Sequence, residues 1–441
     1  MIKDMTSGKP SKILLSFALP IMIGNIFQQA YNIIDSIIVG NFVGSLALAS
    51  VGTTYPITFV LITIANGASI GCAVIISQYF GAKSINKMKT AISTSLISIT
   101  ILSLIFTLIG IIFNKAFLNL IDTPTNIFND AYEYLHIYFL GIIFLFIYNI
   151  CNSIFNALGN AKIPLYFLIF SSILNVVLDL LFVIKFNLAV IGMAYATFIA
   201  QGISCILSLT YLLKELKVFK TTKKAKLFDL NSLISISKVA IPSILQQSIV
   251  SLGNLLVQNL VNSYGSEVIA GYSVGTKIDS IIILPMVSLS NAISTFAGQN
   301  LGAKKIDRAK EGYKTCLIII GIFCVTASSI IFLFGNNLTG LFSKNVGILE
   351  ISIRYLKVVS TFYFLMGVMV ITNGVLRAAK DMKFFLLSTT INFSTRVIFA
   401  YIFSMLIGQN SIWWAVPFGW LFASITSVLR YRSNRWIKFI I

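Results

Sequence analysis

The chain has 441 residues, of which 57% are apolar and only 11% are charged, and its mean hydropathy is +0.90. A soluble domain carries about a quarter charged residues, so this composition excludes a soluble globular protein and indicates a membrane protein with many spans. The net charge of +19 does not indicate nucleic-acid binding, because the basic residues lie in short connections between apolar runs and form no basic groove with interleaved aromatic residues.

Apolar runs long enough to cross a bilayer of about 30 Å recur along the whole chain. The sequence therefore predicts an all-α polytopic membrane protein with twelve transmembrane helices. The predicted spans lie near residues 13–39, 46–79, 90–113, 131–156, 163–184, 188–213, 232–262, 267–300, 312–335, 350–376, 384–408 and 411–429. We divide the chain into an N-lobe (1–213), a cytoplasmic linker (214–230) and a C-lobe (231–441).

Most of the 33 Lys and Arg residues fall on one side of these spans, including the N-terminus, the linker and the C-terminal segment. Basic residues concentrate in cytoplasmic connections, so we expect both termini to be cytoplasmic. We expect the chain to act as a monomer in the cytoplasmic membrane, with the lipid bilayer as its surroundings.

An internal repeat relates the two halves. The alignment that places Gln78 on Gln299 also places the tripeptide at 81–83 on the identical tripeptide at 302–304. Because each half holds an even number of spans, both halves have the same orientation, and the repeat is parallel. The sequence therefore predicts two pseudo-symmetric six-helix bundles. Transporters built this way alternate the access of a cavity.

One polar pair, Asn175 and Asp179, interrupts the fifth apolar run. Residues four apart lie on one face of a helix. An aspartate within a membrane span is costly where it faces lipid, so it faces a bundle interior or a wet cavity. We interpret this face as the site of a coupling ion, which makes the chain a transporter.

Other polar residues of the first half extend this set. In the first span, Gln28, Tyr31 and Asp35 share one stripe. The fourth and sixth spans add Asn149, Asn152, Thr197 and Gln201. If these residues converge, their hard oxygen donors suit Na⁺, and the two carboxylates equally suit a shared proton.

Isolated amides and hydroxyls in membrane helices more often form hydrogen bonds between helices than bind ligands. We favour that structural interpretation for Asn152 and Gln201 and leave Gln28 open between the two. A buried aspartate can also be a structural partner of a basic residue, but the N-terminal spans offer no Lys or Arg. For Asp35 and Asp179 the sequence therefore favours a functional role.

The second half is different in chemistry. Its deep ionisable residues are Lys277, Asp279 and Arg396, and the alignment of the two halves places Arg396 opposite Asn175. Two alternatives stay open for Lys277 and Arg396, namely a structural or cavity-lining role and direct substrate contact. Candidate residues of a substrate cavity are Gln28, Tyr31, Asn152, Lys277 and Arg396.

A proline inside a helix frees a carbonyl and permits a kink. Pro20 lies in the same span as Asp35, about four turns away, so a bend there could link occupancy at Asp35 to the shape of the cavity. We predict Pro20 as a hinge, with a kink that serves packing alone as the alternative.

The chain resembles the multidrug and toxic compound extrusion (MATE) transporters over essentially its full length. The resemblance rests on Leu19-Pro20, 31–35, Val39-Gly40, 78–82, 156–160, the Asn175 and Asp179 pair, 192–197, 275–278 and 298–303.

The resemblance implies two six-helix bundles and export of drugs or metabolites, of amphiphilic or cationic character, driven by Na⁺ or H⁺ entry. It also implies that the cation site of one branch is formed by residues matching Asp35, Asn149, Asn175, Asp179 and Thr197. Another branch uses acidic residues in the seventh and tenth helices. This chain has no acid within 232–262, and Glu350 stands at the very start of its run.

Three other classes compete with this interpretation. Lipid-linked oligosaccharide flippases share the implied fold and are the first alternative. A membrane enzyme fits poorly, because His136 is the only histidine and the five cysteines lie in apolar runs without CxxC spacing. An ion channel fits poorly because its selectivity ring usually comes from several subunits. We therefore predict no enzymatic activity and no cofactor besides the coupling ion, with Na⁺ bound, if it is the ion, at Asp35 and Asp179.

Overall fold

The computed structural model describes residues 3–220 and 225–439, and these residues form helices and connections without any β-strand. The helices are α1 (Pro10–Ile38), α2 (Ser45–Gly81), α3 (Ile85–Leu120), α4 (Phe128–Ala157), α5 (Lys162–Leu180), α6 (Ala189–Val218), α7 (Leu230–Asn262), α8 (Ser266–Gly302), α9 (Ile306–Gly340), α10 (Val346–Thr361), α11 (Tyr363–Ala378), α12 (Met382–Ile407) and α13 (Ala415–Arg432). Short π-helical turns follow α1 (Val39–Val43) and α5 (Leu181–Lys185), and 3₁₀ turns cover Gln409–Trp414 and Arg435–Phe439.

Among the described residues, eleven helices are long and apolar enough to cross a membrane, and the pair α10 and α11 makes a twelfth span. The predicted all-α, twelve-span fold is therefore confirmed. The predicted tenth span, 350–376, is not one straight helix, because α10 and α11 meet at an angle of 54°.

The internal repeat is visible in the backbone. α2 and α8 each have 37 residues, and the alignment of the two halves pairs their first residues and their last residues. Each is preceded by a glycine with positive φ, Gly44 at 114° and Gly265 at 90°. Each is followed by a lysine in the left-handed region, Lys83 at 55° and Lys304 at 60°. The two halves therefore share their turn conformations as well as their pattern of apolar runs.

Two compact units divide the chain. The first contains Ile23–Ile241, and the second contains Met5–Met22 and the chain from Pro242 onward. The start of α7 thus belongs to the first unit, where Gly71 of α2 leaves room for it. A Cβ at Gly71 would lie 2.7 Å from the Ile236 carbonyl oxygen and 2.8 Å from the Ala240 Cβ. The structural units therefore differ from the predicted division at 213 and 231 in two short segments, which end near Pro20 and Pro242.

The segment before α1 is held in the second unit by its backbone. The Met5 N–H donates to Gln299 Oε1 at 2.9 Å, and the Met5 carbonyl accepts from Asn300 Nδ2 at 3.2 Å. Arg308 donates to the same carbonyl at 3.3 Å and to the Gly8 carbonyl at 2.6 Å. These contacts fix the start of the chain against the end of α8 and the start of α9.

Candidate cation site

The face of α5 that carries the polar pair points into the first unit. Asn175 is 3% exposed and Asp179 is 0% exposed. Ile173 and Val177, two residues before each of them, are 59% and 54% exposed. The alternation shows that α5 presents apolar residues outward and keeps its amide and its carboxyl inside the bundle.

Asp35 of α1 meets Asp179 of α5 there. The two carboxyl groups approach within hydrogen-bonding distance of each other. Among the residues that the structure describes, no donor hydrogen-bonds to the buried Oδ1 atom of either residue. Among the described residues, neither carboxyl has a Lys or Arg nitrogen within the 4.0 Å of a salt bridge. Two carboxyls therefore share one buried position without a basic partner.

Asn175 links this pair to two further helices. With its amide nitrogen facing the acceptors, Asn175 Nδ2 donates to Asp179 Oδ2 at 2.8 Å and to Tyr31 Oη at 2.8 Å. Its Oδ1 accepts from the Thr197 hydroxyl at 3.3 Å and from the Thr197 N–H at 3.0 Å. One amide thus connects α1, α5 and α6 around the carboxyl pair.

α1 and α5 each change from α-helical to π-helical winding shortly after their aspartate. The π-helical turn after α1 begins at Val39, four residues beyond Asp35, and the turn after α5 begins at Leu181, two residues beyond Asp179. Single π-helical turns are rare and occur frequently at functional sites. Val39 and Val183 of these two turns pack in one small apolar cluster, against which Tyr134 also packs.

A small cavity lies beside the pair, between α4 and α6. Its lining includes Tyr134, Tyr138, Thr197 and Gln201, and it has space for roughly one water molecule. Thr197 belongs both to this cavity and to the Asn175 network. Tyr134, which sequence reasoning did not single out, is close enough to Asp35 and Asp179 to interact with both electrostatically.

The arrangement fits a small hard cation or a shared proton. Two carboxyls, the Tyr31 phenol and the Thr197 hydroxyl offer oxygen donors here, which hard cations prefer, and the Asn175 amide oxygen could join them only after a rotation of that amide. Without a cation or a proton, two adjacent carboxylates in a low-dielectric interior repel each other. The site therefore favours taking up one positive charge.

The structure brings together four of the five residues predicted for the ion site: Asp35, Asn175, Asp179 and Thr197. The fifth, Asn149, donates its Nδ2 to the Leu145 carbonyl of its own helix at 2.8 Å, and no hydrogen bond to the carboxyl pair is seen in the described part of the chain. Tyr31, a candidate for the substrate cavity, accepts a hydrogen bond from Asn175 beside the carboxyl pair.

The remaining candidates of the first half of the chain lie apart from this network. Gln28 is exposed. Asn152 on α4 has a buried Oδ1 that receives no hydrogen bond from the described part of the chain. The hinge candidate Pro20 is buried inside α1, two residues before the helix passes from the second unit to the first.

In the second unit the polar candidates are arranged differently. Lys277 is exposed. Arg396 donates to Asn254 Oδ1 at 3.3 Å and to Tyr272 Oη at 3.4 Å, both neutral acceptors. The buried acid of this unit, Asp279, accepts hydrogen bonds from two tyrosines. The chemistry of the first-unit site is therefore not repeated in the second unit.

Comparisons with known proteins agree with this two-unit architecture. The MatE family model matches residues 20–181 and 242–402, one stretch in each half. The chain is 33% identical over 434 residues to a Bacillus subtilis (strain 168) protein named probable multidrug resistance protein YpnP, covering 98% of this chain and 97% of the relative.

A second relative is the multidrug export protein MepA of Staphylococcus aureus (strain NCTC 8325 / PS 47). It is 24% identical over 405 residues, which cover 92% of this chain and 90% of MepA. Among solved structures, a crystal structure of MATE in complex with MaL6 superimposes with a TM-score of 0.90 at 23% identity, covering 98% of this chain and 97% of that one. This last similarity shows the fold.

Proposed function

The chain belongs to the MatE family, and we propose that it exports amphiphilic or cationic drugs or toxic metabolites across the cytoplasmic membrane in exchange for Na⁺ or H⁺. The observation that carries this proposal is the buried pair of Asp35 and Asp179, whose Oδ1 atoms have no donor and whose carboxyls have no basic partner among the described residues. The names of the two relatives, a multidrug resistance protein and a multidrug export protein, support drugs as the substrate class.

The carboxyl pair supplies the coupling. Two carboxylates in one buried position cost free energy until a cation or a proton reduces their repulsion. If the ion binds most tightly in one conformation, uptake of the ion shifts the population toward that conformation, by as much as its affinity differs between the two. Release of the ion on the cytoplasmic side then completes an alternating-access cycle.

The orientation of the Asn175 side-chain amide should differ between coupling to H⁺ and coupling to Na⁺. In the orientation that satisfies its neighbours, Asn175 Nδ2 donates to Asp179, which suits a pair that shares a proton. Coordination of Na⁺ by Asn175 requires the amide oxygen to face the carboxyls instead, because Na⁺ accepts lone pairs and repels N–H groups. A rotation of this one amide would therefore accompany Na⁺ binding but not protonation.

We place both termini in the cytoplasm, because most basic residues lie in the connections on that side. An ion that enters down its gradient then reaches the pair from outside, and the substrate leaves in the opposite direction. A cationic substrate fits a first unit whose buried charges are negative.

The test uses everted membrane vesicles and a fluorescent cationic dye. Export from the cell corresponds to accumulation of the dye inside such vesicles. A Na⁺ gradient at equal pH and a pH gradient without Na⁺ are imposed in separate experiments, each directed out of the vesicle. We expect one of the two gradients to drive accumulation. Asp35→Asn should abolish it, because the variant removes one of the two charges that take up the ion.

The matched control is Asp130→Asn, which removes an exposed acid in the first turn of α4 and should transport like the wild type. Asp35→Asn must also elute as a folded monomer-sized peak in detergent, so that loss of transport is not loss of fold. Wild-type transport by Asp35→Asn would contradict the coupling role of Asp35. Failure of both gradients in the wild-type protein would contradict the antiporter and favour the flippase alternative.

A further inference from the structure

The bend in the tenth span has no cause in its local sequence. α10 ends at Thr361 and α11 begins at Tyr363, and the two segments meet at 54°. From Tyr355 to Met366 the chain contains neither proline nor glycine. Helix kinks arise at prolines, glycines or π-bulges, or where another group enters the backbone ladder. No proline or glycine lies at the break itself, so contacts from other helices are the candidates for holding the bend.

One carboxylate joins both sides of the break. Asp279 of α8 is 7% exposed. Its Oδ2 accepts from the Tyr355 hydroxyl of α10 at 3.2 Å, and its Oδ1 accepts from the Tyr363 hydroxyl of α11 at 2.7 Å. Breaking either bond would leave a buried polar group without a partner, which costs free energy. Asp279 therefore fixes α10 and α11 relative to each other.

A second contact satisfies the backbone at the same place. The Ser328 hydroxyl of α9 donates to the Ser360 carbonyl at 2.6 Å. The last carbonyls of a helix lack partners within it, and a buried carbonyl without a donor costs free energy. The environment of the break is therefore adapted to the bent form.

The repeat provides an internal comparison. The alignment of the two halves pairs Tyr355 with Tyr134, Phe362 with Gly141, and Asp279 with Thr58. In the first unit the corresponding helix, α4, runs without a break through Gly141. The acid and the bend thus occur together in the second unit and are both absent at the matching, described positions of the first.

Asp279 is available for this task because no basic residue neutralises it directly. Arg396 is near enough to interact electrostatically but forms its hydrogen bonds with Asn254 and Tyr272. Within the described part of the chain, Asp279 has no salt bridge. Its two oxygens are instead each occupied by one phenol.

We propose that Asp279 is a positioning residue that holds the tenth span in its bent form through Tyr355 and Tyr363, and that the transport cycle releases one of these tyrosines. The release of Tyr363 lets α11 move relative to α10 and leaves Asp279 with a single donor. The device is separate from the ion site of Asp35 and Asp179. It depends on the proposed function only in its transport measurement.

The first test measures the bend itself. Spin labels are attached at cysteines introduced at Val346 and Lys383, two exposed positions on either side of α10 and α11, while the five native cysteines are buried. The distance between labels is measured in lipid nanodiscs. Asp279→Asn and Tyr363→Phe should each broaden the distribution or add a second distance.

The matched control is Tyr313→Phe. It removes a buried tyrosine hydroxyl that bonds Thr372 of α11 at 3.0 Å, away from the break, and should leave the distribution unchanged. If Asp279→Asn fails to fold, Tyr355→Phe and Tyr363→Phe still test the bridge, because each removes one hydroxyl without burying a new polar group. Distributions identical to the control in all these variants would overturn the proposal.

The second test separates positioning from plain stabilisation. Tyr363→Phe removes one buried hydrogen bond to Asp279. It should lower kcat for dye export about tenfold and leave KM unchanged, because substrate binding is not altered. Tyr313→Phe should keep the wild-type kcat even if its Tm falls by as much as the Tm of Tyr363→Phe. Equal kcat losses in Tyr363→Phe and Tyr313→Phe would reduce Asp279 to a stabilising residue. If the wild-type protein exports no dye, the distance measurement still decides on the bend.

Discussion

Asp35 and Asp179 have different surroundings although their carboxyls meet. Asp179 is fully buried and receives a hydrogen bond from Asn175, whereas Asp35 is half-buried on α1. Asp179 is therefore the carboxyl whose position is fixed by its neighbours. Asp35 lies on α1, the helix that passes from one unit to the other between Met22 and Ile23.

Asp179→Asn tests this difference. The variant keeps the size of the side chain but removes the fixed negative charge, so the ion concentration for half-maximal transport should rise about 10- to 100-fold. The measurement is the dye accumulation rate against Na⁺ concentration or pH, whichever drives the wild type. An unchanged ion requirement would move the site away from Asp179.

Sequence alone was sufficient to find the polar face of α5, since a spacing of four residues within an apolar run fixes the face on which both side chains lie. The hydrogen-bond partners of Asn175 were harder to predict from the sequence. Tyr31 was assigned to the substrate cavity because its stripe on α1 indicates a shared face and not which helix that face meets. Tyr134 gave no signal, because a tyrosine in a membrane helix is ordinary.

At the scale of the helix, α1 combines a buried proline with a change of unit. Pro20 has no N–H to bond the carbonyl four residues earlier, and the helix passes from one unit to the other between Met22 and Ile23. The second proline of this kind, Pro242 of α7, stands at the corresponding passage. Both crossings therefore coincide with weakened helix backbone.

Pro20→Ala should restore that hydrogen bond and stiffen α1. Proline in a helix interior costs about 3 kcal/mol, so Tm should rise, while kcat for dye export should fall because the helix bends less readily. Thermal unfolding in detergent and the dye assay measure the two effects. A raised Tm with wild-type kcat would show that Pro20 serves packing alone.

The tenth span shows why element boundaries were predictable and the bend was not. A long apolar run is recognised by its hydropathy, and this property is the same in a straight and a bent helix. The cause of the bend lies in Asp279 and Ser328, 76 residues before Tyr355 and 32 before Ser360. Such contacts become visible only when the helices are packed.

In the whole molecule, the two halves share a backbone and differ in chemistry. Matching left-handed turns at Lys83 and Lys304 preserve the frame. The same alignment of the halves replaces Asn175 by Arg396 and Asp179 by Ala400. One half therefore carries the buried carboxyl pair, and the other a bent span and a cationic side chain.

The charge distribution makes a prediction for the whole chain. A reporter enzyme active only in the cytoplasm, fused after residue 441, should be active, because basic connections stay on the cytoplasmic side. A fusion in the connection between α5 and α6, after Phe186, serves as the control and should be inactive. Activity of the second fusion and not of the first would reverse the orientation.

The anchoring of Met5 also sets an order of events during synthesis. Its hydrogen-bond partners lie 294 to 303 residues further along the chain. A ribosome adds about 5–20 residues per second, so the Met5 backbone waits roughly 15 to 60 seconds before its partners exist. The segment around Met5 can therefore take its final place only after the end of α8 and the start of α9 have been synthesised.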